Sequence, residues 1–247
     1  MTGLLWIGCW LRSALFTTGW YLGTVVIALV GAPLLLTPRR YIRRWAVVWT
    51  DYTLWWLRLT IGLAHRISGL ENLPPGPAII AIKHQSSWET VAVVRLFPDA
   101  AIVMKRELLF IPIVGLAMLM GGNIAIERGD GAAALRSLVR GAKNAVANNR
   151  SILIFPEGTR TPVGADQPYP VGIAALYRQL GIAVVPVALN SGVFWGRRQF
   201  IKRPGVIEVE VLPAIPPGLP RKEFMVTLRN RIEQATARLV SGANRGG

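Results

Sequence analysis

A histidine and a glutamate five residues apart have the clearest capacity for acid–base chemistry in this chain. His84 is one of only two histidines, and Glu89 shares its polar stretch between two apolar runs. An imidazole held by a carboxylate is the usual apparatus for taking a proton from a hydroxyl near neutral pH. On one continuous helix the two side chains would point about 140° apart. The spacing therefore predicts that His84 precedes a helix and that Glu89 lies in its first turn, where the macrodipole keeps a carboxylate ionised.

The same stretch also has a purely structural interpretation. Gln85, Ser86 and Glu89 are of types found around helix N-termini, and spacing alone does not separate capping from catalysis. Under the catalytic interpretation, Glu89 binds one imidazole nitrogen, fixes the tautomer and leaves the other nitrogen free as a base. The second histidine, His65, stands beside an arginine rather than a carboxylate, so we assign it no chemistry.

Charged residues also follow two other apolar runs. Glu157 and Arg160 come directly after the run that includes Ile154, and Arg128 ends the run before it. Charges at the end of a buried strand are costly unless they bind each other or a ligand. Gly158 allows a bound group to approach the backbone closely. An arginine fork matches phosphate oxygens, so the two arginines predict a phosphate pocket; the alternative for each is a surface ion pair.

These residues require a scaffold of alternating strands and helices. Short apolar runs, typical of strands in a sheet covered on both faces, occur at 78–83, 101–105, 151–155, 183–189 and 206–212. Amphipathic helices are predicted at 130–149, with Asp130 as N-cap, and at 221–240. The chain beyond residue 69 is thus predicted to be an α/β domain, with its chemistry at the carboxyl ends of the strands.

The amino-acid composition indicates which kind of partner or surface such a domain binds. Hydrophobic residues make up 52% of the chain, which has nine tryptophans and a formal charge of +15. This combination favours an anionic membrane surface as partner. Nucleic acid is the weaker alternative, because the sequence has no zinc-finger, basic-zipper or RNA-binding signature. The single cysteine excludes an intramolecular disulfide, and no Cys/His cluster has the spacing of metal ligands.

The first part of the chain has the character of a membrane anchor. Residues 13–36 are nearly all apolar, and crossing the hydrocarbon layer takes about 20 residues. Arg12 precedes this run and four arginines follow within 39–44, so the heavier positive flank places the rest of the chain in the cytoplasm. Gly31 and Pro33 leave open a kinked helix that is half-embedded in one leaflet. Tryptophans and arginines in 41–67 suit the headgroup zone, or else a helix packed on the domain.

These observations predict three segments. Membrane-anchoring helices occupy residues 1–68, the catalytic domain occupies 69–240, and a flexible tail occupies 241–247.

Four stretches, in this order, resemble the motifs of the PlsC-like glycerophospholipid acyltransferase family, the 1-acylglycerol-3-phosphate acyltransferases. The N-H-x-x-x-x-D motif corresponds to 83–89, where Lys83 stands at the position of the Asn and Glu89 at that of the Asp. The F-P-E-G-T-R motif is matched letter for letter at 155–160. A motif ending in arginine is matched at 122–128, and a V-P-V strand end at 185–187. The family often has a lysine shortly before the glycine of a fifth block, but the corresponding residues here, 169–172, include no lysine. Lys105, Arg106 or Arg178 could supply the missing cationic contact.

The resemblance implies a fold, a reaction and a set of binding residues. The fold is a mostly parallel or mixed sheet flanked by helices and preceded by membrane helices. His84, oriented by Glu89, takes the proton from the sn-2 hydroxyl of lysophosphatidic acid, and the oxygen attacks an acyl thioester directly to give phosphatidic acid. Backbone N–H groups near the His84 or Gly158 turn hold the oxyanion. The implied substrate-binding residues are Arg128, Glu157, Gly158, Thr159, Arg160 and Lys105.

The resemblance also implies the partners of the protein. The donor is acyl-CoA or acyl carrier protein, both acidic, and neither a cofactor nor a metal is expected. The acceptor is a lysophospholipid in an anionic membrane, at the cytoplasmic face of the inner membrane, with no nucleic acid involved. Two alternatives remain: an O-acyltransferase for a lyso-aminolipid such as lyso-ornithine lipid, and a non-catalytic adaptor that binds anionic lipid.

Overall fold

The protein is an α/β fold built on one seven-stranded sheet. The structure, a computed structural model, describes residues 3–127 and 131–245, with side chains described for 6–127 and 131–243. The strands are β1 (Leu63–Ser68), β2 (Ile79–Ile82), β3 (Ala101–Lys105), β4 (Ile124–Ile126), β5 (Ile152–Ile154), β6 (Val184–Leu189) and β7 (Gly205–Val211). The helices are α1 (Gly3–Gly31), α2 (Arg39–Ile61), α3 (Trp88–Leu96), α4 (Val114–Met120), α5 (Gly131–Ala147), α6 (Gly172–Leu180), α7 (Ser191–Phe194) and α8 (Arg221–Arg245).

The sheet is mixed, with the strand order β1-β7-β6-β2-β5-β3-β4. Neighbouring strands run parallel except β6 and β7, which are antiparallel. Every residue of β2, β5 and β6 is buried, because apolar side chains cover both faces of the central strands. The predicted fold class is therefore confirmed.

All five predicted strands are present, and the structure adds β1 and β4. β4 has only three residues, and half of the six residues of β1 are exposed, including His65 and Arg66. β1 belongs to the sheet because it pairs with β7 over its whole length. The sheet therefore begins at Leu63, inside the segment predicted as membrane-anchoring. The division into anchor and catalytic domain stays a prediction.

The two long amphipathic helices lie where the sequence predicts them. The first is α5, whose predicted N-cap, Asp130, lies outside the described residues. The second is α8, which continues to Arg245 and so covers most of the segment predicted as a tail. Three short 3-10 helices, Ala32–Leu36, Leu70–Asn72 and Arg106–Phe110, complete the helical elements of the described chain.

The N-terminal helices form a hairpin in which aromatic side chains of α2 pack on small residues of α1. Within the described residues, Trp6–Leu36 is the one helical stretch long and apolar enough to cross a membrane. A Cβ on Gly23 would lie 2.2 Å from the Tyr52 ring, and one on Gly31 would lie 2.0 Å from Trp45. The two helices therefore approach closely only because these α1 positions are glycines.

Hydrogen bonds from the same aromatic side chains hold the hairpin together. Trp45 Nε1, Tyr52 OH and Trp56 Nε1 donate to backbone carbonyls of α1 at 2.9, 2.7 and 3.2 Å. Trp49 Nε1 donates to Thr24 Oγ1 at 2.9 Å. Three of the tryptophans considered for the headgroup zone thus pack against α1. The fourth, Trp55, is 57% exposed.

A buried lysine joins α1 to the sheet domain. The backbone N–H of Lys202 donates to Ser13 Oγ at 2.9 Å, and its Nζ donates to Thr17 Oγ1 at 3.1 Å and to the Phe200 carbonyl at 2.9 Å. The ammonium also lies 5.1 Å from the centroid of the Trp195 ring. Lys202 is only 5% exposed, and burial lowers its pKa to about 8.

Candidate active site

His84 and Glu89 lie where β2 passes into α3. His84 follows the end of β2, and Glu89 lies in the first turn of α3, as the spacing predicts. His84 Nδ1 is 2.9 Å from Glu89 Oε1. An ionised carboxylate only accepts hydrogen bonds, so Nδ1 carries the hydrogen and the lone pair lies on Nε2. This tautomer is the one that a general base requires.

The carboxylate of Glu89 is held from several directions. Its Oε1 also accepts hydrogen bonds from the backbone N–H groups of Gln85 and Ser86 at 2.6 and 2.5 Å. Its Oε2 accepts from Ser191 Oγ at 2.8 Å. The carboxylate therefore closes the turn before α3 and also contacts His84, whereas the N-cap position of α3, Ser87, has no side-chain capping hydrogen bond. Glu89 is 1% exposed, and these donors replace the water that burial removes.

Ser191 is a residue of the site to which sequence reasoning assigned no role. It begins α7, directly after Asn190 and the end of β6, and is fully buried. The next residue, Gly192, donates its backbone N–H to Gln85 Oε1 at 3.1 Å. The end of β6 is thus bonded twice to the turn that carries His84. The position of Ser191 after an apolar strand was the only signal available in the sequence.

The ring of His84 is oriented by stacking as well as by hydrogen bonding. Its centroid lies 4.1 Å from that of Phe155, with 22° between the ring planes. The carbonyl of His84 accepts from the backbone N–H of Thr161 at 2.7 Å. The segment after β5 therefore contacts the histidine through its ring and through its backbone.

Glu157 points inward, beneath the histidine. Its Oε2 accepts a hydrogen bond from the backbone N–H of His84 at 2.6 Å, and its Oε1 lies 2.6 Å from Lys83 Nζ. Lys83 also binds both carboxylate oxygens of Glu233, on α8, at 2.8 and 2.9 Å. Burial raises the pKa of Glu157, while the Lys83 ammonium opposes that rise. The predicted contact of Glu157 with substrate stays a prediction, and its geometry gives it a different role, that of positioning His84.

Tyr169 completes this buried network. Its hydroxyl donates to Glu233 Oε1 at 2.8 Å. Burial, followed by the charges of Glu233 and Glu157, raises the pKa of the Tyr169 hydroxyl, which therefore remains a donor. Tyr169 stands in the block where the family often has a lysine, and here it binds α8.

The predicted phosphate-binding residues follow β5. Gly158 has a φ of 68°, a left-handed conformation that favours glycine, and its N–H donates to the Phe155 carbonyl at 2.9 Å. Thr159 and Arg160 follow it, each half-buried. Arg160 Nε is a buried donor without a hydrogen-bond partner among the described residues. Such a donor is costly unless a ligand or water pairs with it, which makes Arg160 the better supported anion ligand of the two predicted arginines.

The other predicted cations are distributed around the sheet. Arg128 lies outside the described residues. Lys105 ends β3 and is exposed, and Arg106 binds Glu127 at 2.6 Å. β2, β5, β3 and β4 run parallel, so Lys105 lies at the same sheet edge as His84. Arg178 lies in the last turn of α6, just before β6 begins, and so belongs to the opposite edge.

The expected oxyanion donors are largely occupied. The backbone N–H groups of His84, Gln85, Ser86 and Gly158 all donate within the protein. The expectation that these turns supply free donors is wrong for these four groups, because the carboxylates of Glu89 and Glu157 use three of them.

The comparisons with known proteins assign this geometry to an acyltransferase. The Acyltransferase family model matches residues 64–190, just over half of the chain, including the motifs at 83–89 and 155–160. The chain belongs to this family. It is 38% identical over 185 residues to the 1-acyl-sn-glycerol-3-phosphate acyltransferase of Pseudomonas aeruginosa, covering 74% of this chain and 71% of that protein.

More distant relatives have the same activity in their names. The human 1-acyl-sn-glycerol-3-phosphate acyltransferase alpha is 26% identical over 238 residues, covering 94% of this chain and 82% of its own length. The crystal structure of the 1-acyl-sn-glycerophosphate acyltransferase PlsC from Thermotoga maritima superposes with a TM-score of 0.77 at 21% identity. That superposition covers 93% of this chain and 96% of the other, and it supports the fold.

Proposed function

We propose that the protein transfers an acyl chain from an acyl thioester to the sn-2 hydroxyl of lysophosphatidic acid, giving phosphatidic acid. The observation that carries this proposal is the hydrogen bond between His84 Nδ1 and Glu89, which leaves Nε2 as a base at the sheet edge where Arg160 has an unpaired donor. The acyltransferase relatives, named for 1-acylglycerol-3-phosphate, supply the identity of the acceptor.

The reaction proceeds by direct transfer. His84 Nε2 accepts the hydroxyl proton while the acceptor oxygen forms a bond to the thioester carbonyl carbon. The tetrahedral intermediate then collapses, the carbon–sulfur bond breaks, and the imidazolium returns its proton to the departing thiolate. Glu89 stays ionised and stabilises the imidazolium between these two steps. No acyl-enzyme forms, because His84 acts as a base and not as a nucleophile.

Cations at the carboxyl edge of the sheet bind the phosphate of the acceptor. Arg160 offers a fork that fits two phosphate oxygens, and Lys105 adds charge from the end of β3. Arg128, which lies outside the described residues, is a further phosphate ligand that the family resemblance implies. The donor is acyl-CoA or acyl carrier protein, whose acidic groups complement a chain with a net charge of +15. Neither a cofactor, a metal nor nucleic acid takes part in this scheme.

The protein works at the cytoplasmic face of the inner membrane, attached through α1. The apolar stretch Trp6–Leu36 has the length of a membrane anchor. Arg39, Arg40, Arg43 and Arg44 follow it and favour the cytoplasmic, anionic side. The acceptor lysophospholipid then lies in the same membrane as the anchor.

The deciding experiment measures product from labelled acyl-CoA and lysophosphatidic acid with purified wild type and His84→Ala. We expect the variant to remain membrane-bound and to lose nearly all transfer. Substantial residual turnover would reject His84 as the base. Lyso-ornithine lipid is assayed in parallel, because 169–172 lack the family lysine. A preference for that lipid would show the assignment of the acceptor to be wrong.

A further inference from the structure

Six large apolar side chains are exposed after β3 and at the end of the 3-10 helix that follows α1. They form what we call the apolar rim: Leu36 (92% exposed), Phe110 (77%), Leu119 (50%), Leu116 (48%), Ile111 (43%) and Leu108 (36%). Five of them lie on one segment, residues 106–120, which comprises the 3-10 helix Arg106–Phe110 and α4. Single exposed apolar residues are ordinary, but a cluster of this kind marks an interaction surface.

The segment is folded so that these side chains face outward. α4 crosses so closely over Leu109 that a Cβ on Gly115 would lie 2.2 Å from the Leu109 carbonyl oxygen. Between the two helices, Ile113 has a φ of 62°, and Val114 N donates to the Pro112 carbonyl at 2.6 Å. This γ-turn is rare and strained for a β-branched residue. The exposure of Phe110 and Ile111 is therefore fixed by a tightly closed turn and does not result from an irregular loop.

The apolar rim continues the exposed surface of α1. Leu36 ends the 3-10 helix that follows α1, and α4 packs against that helix. On α1 itself, Tyr21, Leu22 and Val30 are each 63% exposed. One apolar surface thus extends from the anchor to the segment that begins directly after Lys105.

Cations border this surface. Arg39 and Arg40 follow Leu36, and Lys105 precedes Leu108; all three are exposed. The neighbouring Arg106 is paired with Glu127, and Glu107 is exposed beside it. The side chain of Arg39 lies beside Gly122, just past the end of α4. An apolar surface with a basic border fits a bilayer with anionic headgroups, because the side chains enter the acyl region while the cations bind phosphates.

We propose that the apolar rim inserts into the same lipid leaflet as a second membrane contact, separate from α1. This proposal rests on the attachment through α1 proposed above. Insertion places Lys105 at the level of the headgroups, at the sheet edge that holds His84. A lysophospholipid then reaches the site along the rim without leaving lipid. The occupant of this surface is therefore an anionic phospholipid bilayer.

Site-directed fluorescence tests the insertion in the full chain. Cys9 is replaced by serine, and single cysteines at Phe110, Leu119, Val30 or Val226 carry an environment-sensitive label. The protein is placed in vesicles of phosphatidylcholine and phosphatidylglycerol that are brominated along their acyl chains. We expect blue-shifted emission and severalfold stronger quenching at 110 and 119 than at 226. Val226 is the control, since it is 53% exposed on α8.

The label at 30, on α1, separates the possible failures. If the label at 30 is quenched but the labels at 110 and 119 behave like the one at 226, the rim does not insert. Attachment through α1 would then still hold. No quenching at 30 would overturn both. A blue shift at 110 without quenching by brominated lipid would mean that protein covers the rim, which also overturns the proposal.

A second variant links insertion to turnover. Phe110→Ser combined with Leu119→Ser should lower the rate with lysophosphatidic acid embedded in vesicles severalfold more than the rate with the same acceptor in detergent micelles. Equal rates relative to wild type in both media would contradict the proposed route through the membrane.

Discussion

The carboxylate of Glu157 accepts a hydrogen bond from the backbone N–H of His84 at 2.6 Å. The motif at 155–160 therefore contacts the turn that carries His84, and Glu157 is in turn bound to Lys83, which binds Glu233. Breaking such a buried charged network is costly, because each remaining charge keeps its desolvation penalty. The acid–base pair and the third motif thus form one hydrogen-bonded unit, although 73 residues separate His84 from Glu157.

Replacement of Glu157 tests this positioning role. Glu157→Gln keeps an acceptor for the His84 N–H but removes the charge that faces Lys83. We expect kcat to fall, KM for the acceptor to change little, and stability to drop by about 1–3 kcal/mol. Steady-state kinetics and thermal unfolding provide the readouts. An unchanged unfolding temperature with a raised acceptor KM alone would instead make Glu157 a substrate ligand.

Ser191 should contribute through Glu89 rather than through substrate. Ser191→Ala removes the donor to Glu89 Oε2, so the carboxylate holds the imidazole less firmly. We expect kcat to fall with both KM values nearly unchanged, at a stability cost of about 1 kcal/mol. Thr90→Ala is the matched control, because the Thr90 hydroxyl donates to the Ser87 carbonyl and not to Glu89. Equal effects of the two variants would contradict a specific role for Ser191.

Arg160 should determine acceptor affinity. Arg160→Ala removes the guanidinium whose Nε has no partner among the described side chains. Charge-assisted hydrogen bonds contribute about 1.5–3 kcal/mol, so KM for lysophosphatidic acid should rise roughly tenfold to a hundredfold. KM for the thioester should change much less. The control is Arg178→Ala, at the opposite edge of the sheet, which should leave both KM values unaltered. If Arg160→Ala raised only the KM for the thioester, the phosphate pocket would have to lie elsewhere.

Lys202 predicts a pH dependence of stability. Its pKa falls from 10.5 in the unfolded chain to about 8 in the fold, so the unfolded chain binds more protons between these values. Stability therefore rises as pH increases from 8 to 10.5. The increase should be about 1–3 kcal/mol, since the bonds to Thr17 and Phe200 offset part of the desolvation cost. In Lys202→Met this increase in stability should disappear, and thermal unfolding measured from pH 8 to 10.5 checks it. If the wild type and the variant had parallel stability profiles, Lys202 would not be the group responsible.

Two glycines of α1 allow a matched test of the helical hairpin. Gly23→Ala forces a Cβ to within 2.2 Å of the Tyr52 ring, so we expect a lower unfolding temperature and loss of the bond from Tyr52 to Gly19. Gly8→Ala adds the same atom where nothing lies within 4 Å, and should be neutral or slightly stabilising. Equal unfolding temperatures for the two variants would mean that the close approach of α1 and α2 contributes little.

Local features of the sequence were sufficient for part of the site. Five residues separate His84 from Glu89, and the turn between them is closed by bonds to that same carboxylate. The geometry therefore depends on neighbours in the chain, and spacing predicts it. The buried strands were also predictable, because β2, β5 and β6 are continuous apolar runs whose residue types match their burial.

Only the tertiary structure decided the rest, because those contacts join distant residues. Ser191 meets Glu89 across 102 residues, and Lys83 meets Glu233 across 150. β1 escaped prediction because half of its six residues are polar and its partner strand, β7, lies far along the chain. The bond between Glu157 and the backbone of His84 was likewise not predictable, because 73 residues separate the two. The pattern of residue types along the sequence predicts burial and local turns. The tertiary packing determines which charges neutralise one another and which apolar side chains stay exposed.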